Sequence, residues 1–216
     1  MSEATSRSRL AAARLYAITP DGPPERIVAL VAAWLRGGAD VVQLRHKTLP
    51  RAELLELARQ LASQCADAGT IFIVNDHMDI ALMSGADGVH LGPSDLSVTA
   101  ARKVAGPTLV VGASASNPSE GVTVEREGAD YLGTGPAFET PIKSEKRVIG
   151  VNGVAAVQAA VRVPVFAIGG LDRARLSEVV AAGLHRVCVI RALSTATDPE
   201  AEARAFKAAL SPTASR

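Results

Sequence analysis

The sequence predicts a parallel (β/α)8 barrel, and three observations predict it. Eight short apolar runs recur along the chain, a helix-length stretch follows each run, and the residues closing the runs are polar or glycine. The first run is LYAIT (15 to 19), and the stretch after it, 24 to 36, carries Ile27, Leu30, Val31 and Trp34 at helical spacing. VVQLR (41 to 45) is followed by 51 to 66, with Leu54, Leu55, Leu57, Ala58 and Leu61 on its apolar side. IFIVN (71 to 75) precedes a helix over 77 to 85, and GVHLG (88 to 92) one over 97 to 105. TLVVGAS (108 to 114) leads to 118 to 128, YLGTG (131 to 135) to 150 to 161, VFAIGG (165 to 170) to 172 to 182, and RVCVIR (186 to 191) to 199 to 210. GADVV, GADGV and GADYL repeat one device in which glycine ends a helix and a short turn opens the next strand. It is read as punctuation, without a ligand role.

At 216 residues the chain suffices for one such barrel and a core that needs no staples. Lys plus Arg total 23 against 22 Asp plus Glu, which removes the electrostatic case for nucleic acid or an anionic membrane. Aromatics are only 3%, leaving few platforms for stacked bases. Two cysteines, Cys65 and Cys188, make no disulfide framework, and a reducing cytoplasm is the expected compartment. No stretch is apolar for long enough to cross a bilayer. Residues 1 to 13 are basic and Ser/Ala-rich and are expected to be a disordered tail, with a cleaved organelle address as the alternative; 14 to 210 form the catalytic barrel, and 211 to 216 a frayed end. The sequence leaves a homo-oligomer open.

Barrel enzymes carry their chemistry where the strands end. In VVQLRHK, alternation puts Gln43, Arg45 and Lys47 on one face. Two cations that close together need either an anion or open water, so the strand either meets a ligand there or has already ended. IFIVND closes with Asn75 and Asp76, and Asp95 follows strand 4. Carboxylates on adjacent loops can share Mg²⁺ with substrate phosphates; the competing reading is that Asp76 and Asp95 only start the helices behind them. Asp79 fits a first helical turn and is read as structural.

Ser114 ends strand 5, Gly133 to Gly135 end strand 6, and Gly169 and Gly170 end strand 7. Glycine lets backbone approach a phosphate, and the loops after strands 7 and 8 commonly build a phosphate site. The connection from 135 to 150 is long and carries Thr140, Lys143, Lys146 and Arg147; it suits a lid over an anionic ligand, against the alternative of a solvated basic loop.

Together VQLRHK, VNDHMDIAL, GADGVHLGPSDL, VGAS, GADYLGTGPAFETPIK, PVFAIGG and AGLHRVCVIRAL resemble the thiamine phosphate synthase family across nearly the whole chain. That family joins a hydroxymethylpyrimidine pyrophosphate to a thiazole phosphate with Mg²⁺, releasing pyrophosphate. The resemblance implies that Gln43, Arg45, Lys47, Asn75 and Lys143 hold the pyrophosphate and that Asp76 and Asp95 hold the metal. It further implies that Ser114 touches the pyrimidine, and that Thr140, Gly170 and the backbone around Ile190 and Arg191 hold the thiazole phosphate. Arg45, Lys47, Lys143 and Ser114 are the implied catalytic set, acting by assisting the departure of pyrophosphate. No side chain is required as a covalent nucleophile.

The chain departs from the family pattern at several positions. Ile142 stands where the lid usually has a second Thr, Pro93 and Ser94 replace a Gln-Glu pair, Ser116 replaces a His, and Arg191 replaces a common Ser. Two competing functions are a thiazole tautomerase of the same superfamily and a non-catalytic barrel that binds a phosphorylated ligand. Tautomerase relatives tend to lose the pyrophosphate and metal residues and to carry a His where this chain has Pro136.

Overall fold

The computed structural model describes residues 3–140 and 147–210. Eight strands, β1 (Leu15–Ile18), β2 (Val41–Leu44), β3 (Ile71–Asn75), β4 (Gly88–Leu91), β5 (Val110–Ala115), β6 (Tyr131–Thr134), β7 (Val165–Ile168) and β8 (Val187–Val189), pair in parallel and in sequence order. Pairing of β8 with β1 through Leu15↔Val187 and Tyr16↔Cys188 closes the barrel. The fold is a (β/α)8 TIM barrel.

The helices follow the predicted order. They are α2 (Pro24–Arg36), α3 (Arg51–Asp67), α4 (Met78–Ser84), α5 (Val98–Ala105), α6 (Pro118–Arg126), α7 (Gly150–Ala160), α8 (Leu176–Ala181) and α10 (Pro199–Ala209). Helix α2 shows why these segments are helical: Pro24 stands in the first turn, where its missing N–H costs nothing, and Ile27, Leu30, Val31 and Trp34 all fall on one buried side. Two helices were not anticipated. A four-residue turn, α9 (Arg191–Ser194), begins directly at the end of β8. The other is α1 (Glu3–Ala12), in the segment expected to be disordered.

The contacts of α1 explain that correction. Its amphipathic signal is weak, but Leu10 is 1% exposed and packs with Tyr16, Ile71 and Val110 into the barrel interior. Arg7 Nε donates to Asp130 at 2.9 Å, and the Ser6 hydroxyl donates to Asp87 at 2.8 Å. Those acids are the third residues of the GAD repeats, and they also organise the barrel floor. Asp40 accepts from the Leu15 amide at 3.0 Å, Asp87 from Phe72 at 2.9 Å and Asp130 from Val111 at 2.8 Å. The punctuation motif thus joins adjacent strands, and two of its carboxylates dock α1. Leu10→Ala should lower the unfolding free energy by about 2 to 5 kcal/mol, the usual cost of emptying a buried leucine site. Urea denaturation measures it, and a loss below about 0.5 kcal/mol, as for a surface position, would mean that α1 does not floor the barrel.

Strand alternation sorts side chains between two packed layers. Val42, Leu44, Phe72, Val74 and Leu132 face the helices, whereas Tyr16, Val41, Ile73, Tyr131 and Phe166 fill the barrel. Tyr16, Tyr131 and Phe166 form an aromatic cluster, with Phe166 edge-on to both tyrosines at ring separations of 5.4 and 5.8 Å. Gly112 makes room for it: a Cβ there would lie 2.1 Å from the Tyr131 ring. At six strands the predicted carboxyl end ran one to two residues long, so Arg45 and Arg191 lie just beyond their strands; the end of β3 was met and β5 runs one residue further than expected.

Candidate active site

A cavity of about 460 Å³ opens at the carboxyl ends of the strands. Gln43, Arg45, Asn75, His90 and Ser114 line one side; Gly169, Gly170, Ile190 and Arg191 line the other, and Thr140 lies at its edge. Eleven of the residues singled out from sequence, Gly133 and Gly135 among them, therefore meet in one space. Lys143, like Ile142, lies outside the described residues.

Alternation carries Gln43 inward from Val41, and it is buried at 3% exposure. Its amide does not hang free: Nε2 donates to the Tyr16 hydroxyl at 2.8 Å. Tyr16 and Tyr131 share a hydrogen bond of 2.7 Å, the His90 Nδ1 lies 3.1 Å from the Tyr131 oxygen, and the His90 Nε2 lies 3.1 Å from Ser114 Oγ. Burial pushes both tyrosine hydroxyls well above their ordinary pKa, so they remain protonated donors. Sequence reasoning missed Tyr16, His90 and Tyr131. Each occupies an inward-facing strand position that alternates with apolar residues and reads as core.

Asp76, Asp95 and Lys47 form a second cluster beside the cavity. Lys47 reaches from beyond β2 to Asp76, with Nζ 2.5 Å from Oδ2. Burial acts to raise the Asp76 pKa, but hydrogen bonds from Lys47 and Asp95, with the charges of Lys47 and His77, bring it below the ordinary carboxylate value. Asp95 moves the other way: burial raises it, the Gly92 amide at 2.7 Å opposes, and the adjacent Asp76 carboxyl raises it further. Two neighbouring carboxylates pushed apart in this way compete for one proton, as negative groups sharing a small space do.

The alternative roles of these acids are not the ones adopted. Helix α5 is capped by Ser97, which accepts from the Ala100 amide at 3.2 Å, and α4 follows His77 without a side-chain cap. Asp76 instead takes a left-handed backbone, φ +63°, with its amide bonded to the His90 carbonyl. A non-glycine residue held there carries strain of a kind that collects at functional sites.

At the opposite end, the start of the long connection after β6 lies on the end of β7. The Ala137 amide donates to Ile168 O at 2.8 Å and the Phe138 amide to Gly169 O at 3.1 Å. Gly170 has φ +65°, and a Cβ on it would stand 2.4 Å from the Glu139 carbonyl oxygen and 2.8 Å from Phe138 Cβ. Arg175, absent from the sequence-based set, places its guanidinium 4.9 Å from the Phe138 ring and donates to the Gly170 carbonyl. Arg191 is exposed at the cavity rim, in the first turn of α9.

The family described as thiamine monophosphate synthase matches residues 15–193, from β1 into α9. The chain belongs to that family. Among curated members, the thiamine-phosphate synthase of Salinibacter ruber is 45% identical over 177 residues, covering 82% of this chain and 78% of the relative. Those of Gloeobacter violaceus and Thermosynechococcus vestitus are 44% and 42% identical, and the chain spans only 56% and 55% of their lengths. A solved thiamine phosphate pyrophosphorylase from Pyrococcus furiosus superimposes with a TM-score of 0.85 at 34% identity, covering 94% of this chain and 96% of that one. A 3-hexulose-6-phosphate synthase, at 22% identity and a TM-score of 0.73, shares the barrel fold. No helix among the described residues is long and apolar enough to cross a membrane.

Proposed function

We propose that the chain is a thiamine phosphate synthase, joining a hydroxymethylpyrimidine pyrophosphate to a thiazole phosphate to give thiamine phosphate and pyrophosphate. The observation that carries this reading is the convergence of Gln43, Arg45, Asn75 and Ser114 opposite the glycine-lined end of one cavity, with a carboxylate pair beside it. A synthase needs two anion sites flanking the reacting carbons. Arg45 and Asn75 at one side of the cavity, with Lys47 beside it, are assigned to the pyrophosphate, and Gly170 with the backbone at Ile190 and Arg191 to the thiazole phosphate.

The donor chemistry of the carboxylate pair fits Mg²⁺. Both groups offer hard oxygens, and no set of three or more Asp, Glu, His or Cys side chains is placed to hold a metal among the described residues. One or two carboxylates completed by substrate phosphates is the usual Mg²⁺ arrangement. Asp76 and Asp95 would hold the ion, whose charge would stabilise the departing pyrophosphate.

This chain's own groups then act by position and charge. As the bond from the pyrimidine methylene to oxygen breaks, negative charge grows on pyrophosphate, where Arg45, Lys47 and Lys143 stabilise it. Positive charge spreads into the aminopyrimidine, which Ser114 orients. The thiazole nitrogen captures that carbon without help from a nucleophilic side chain. Cys65 and Cys188 are free and buried, and burial raises both thiols, Cys65 to about 12; they are packing residues suited to a reducing cytoplasm.

Incubating the pure protein with both phosphorylated substrates and Mg²⁺ should yield thiamine phosphate, and chelation should abolish it. Isomerised thiazole without coupling would identify a tautomerase, and binding without any turnover a sensor. Either result would overturn the synthase reading.

A further inference from the structure

We propose that Tyr16 and Tyr131 are positioning residues in a one-way hydrogen-bond chain, started by the Gln43 amide, that fixes His90 with its proton on Nε2 and turns the Ser114 hydroxyl into a donor facing the cavity. The inference rests on this cavity being the ligand site, but not on which ligand enters it.

Direction follows from counting hydrogens. The Tyr16 hydroxyl, fully buried, has two partners among the described residues, Gln43 Nε2 at 2.8 Å and the Tyr131 hydroxyl at 2.7 Å. A phenol has one hydrogen to give, and the Gln43 N–H already takes a lone pair of Tyr16. The Tyr16 proton is therefore aimed at the Tyr131 oxygen, and the Tyr131 proton at His90 Nδ1, 3.1 Å away. A neutral imidazole that accepts at Nδ1 carries its hydrogen on Nε2. That hydrogen points to Ser114 Oγ at 3.1 Å, leaving the serine hydrogen for the cavity. In the reverse order Tyr16 would accept from both neighbours, and its own buried hydrogen would lack an acceptor, a costly arrangement.

The device has a functional consequence. Ser114 in this state offers a hydrogen to an acceptor such as an unprotonated ring nitrogen, and the choice is made by groups three and four side chains below it. Because these links lie inside a packed aromatic cluster, the state is set before a ligand arrives.

Long-range proton–nitrogen correlation spectra of the isotope-labelled full chain, without substrate and at about pH 8, well above the ordinary histidine range, read the tautomer directly. A His90→Asn spectrum assigns the signal among the four histidines. We expect the Nε2–H form in the wild type and in Phe166→Leu, which alters packing alone. Tyr131→Phe should give mixed tautomers and lower kcat/KM for the pyrimidine substrate about tenfold, the worth of one misdirected hydrogen bond. An Nδ1–H tautomer in the wild type would overturn the proposal, as would an unchanged Nε2–H signal with unchanged kinetics in Tyr131→Phe. The spectra need no turnover, so a protein inactive in coupling would defeat the synthase reading while leaving this test intact.

Discussion

Asp76→Asn should lower the coupling rate at saturating substrates by about a hundredfold or more, as expected when a charge-stabilising metal loses half of its protein carboxylates. Asparagine is the informative replacement because Asp76 sits at φ +63°, a conformation that asparagine tolerates and alanine does not. The substitution then removes the negative charge and little else. The fold should survive, since the partner lost is Lys47, whose side chain is half exposed, and such pairs contribute about 0 to 1 kcal/mol. Asp95→Asn should act in the same direction while keeping an oxygen for the Gly92 amide. Initial rates across a Mg²⁺ titration, with a melting curve for each variant, are the measurement. If either variant turns over at the wild-type rate in metal-limited buffer, the carboxylate pair is not the metal site.

The strand order and helix order were legible because an eight-fold alternation of apolar runs with helical periodicity leaves few other ways to bury every strand on both faces. The candidate site was legible where polar or charged residues stand at strand ends, as Asn75, Arg45 and Asp76 do. It was illegible where function depends on a neutral side chain inside the barrel: Tyr16, His90 and Tyr131 alternate with apolar residues as ordinary core positions would, and only closure of the sheet brings them into one chain. Helix α1 was misread for a related reason. Its composition is that of a solvated tail, and Leu10, Arg7 and Ser6 gain partners only from a barrel floor assembled by residues 40 to 130. Arg175 escaped notice because what it meets, Phe138 and the Gly170 carbonyl, is brought to it by the fold.

Gly170→Ala should raise KM for the thiazole phosphate about tenfold or more, with a smaller change for the pyrimidine pyrophosphate, since a shift near 1 Å in a binding loop is enough for losses of that size. Two constraints coincide at this residue. Its φ of +65° is a conformation that costs an alanine about 1 to 2 kcal/mol. The added methyl would also stand 2.4 Å from the Glu139 carbonyl oxygen and 2.8 Å from Phe138 Cβ, closer than atoms can approach. Relief requires the connection after β6 to lift from β7, straining the bonds from Ala137 to Ile168 and from Phe138 to Gly169 that hold it down. The pyrophosphate side, built on β2 and β3 and anchored by Gln43 and the Arg45 amide, is not attached to that connection. Binding should therefore fail at one end of the cavity before the other. Separate KM values for the two substrates measure this asymmetry, and an equal rise in both would show that Gly170 supports both ends of the cavity instead of one phosphate site.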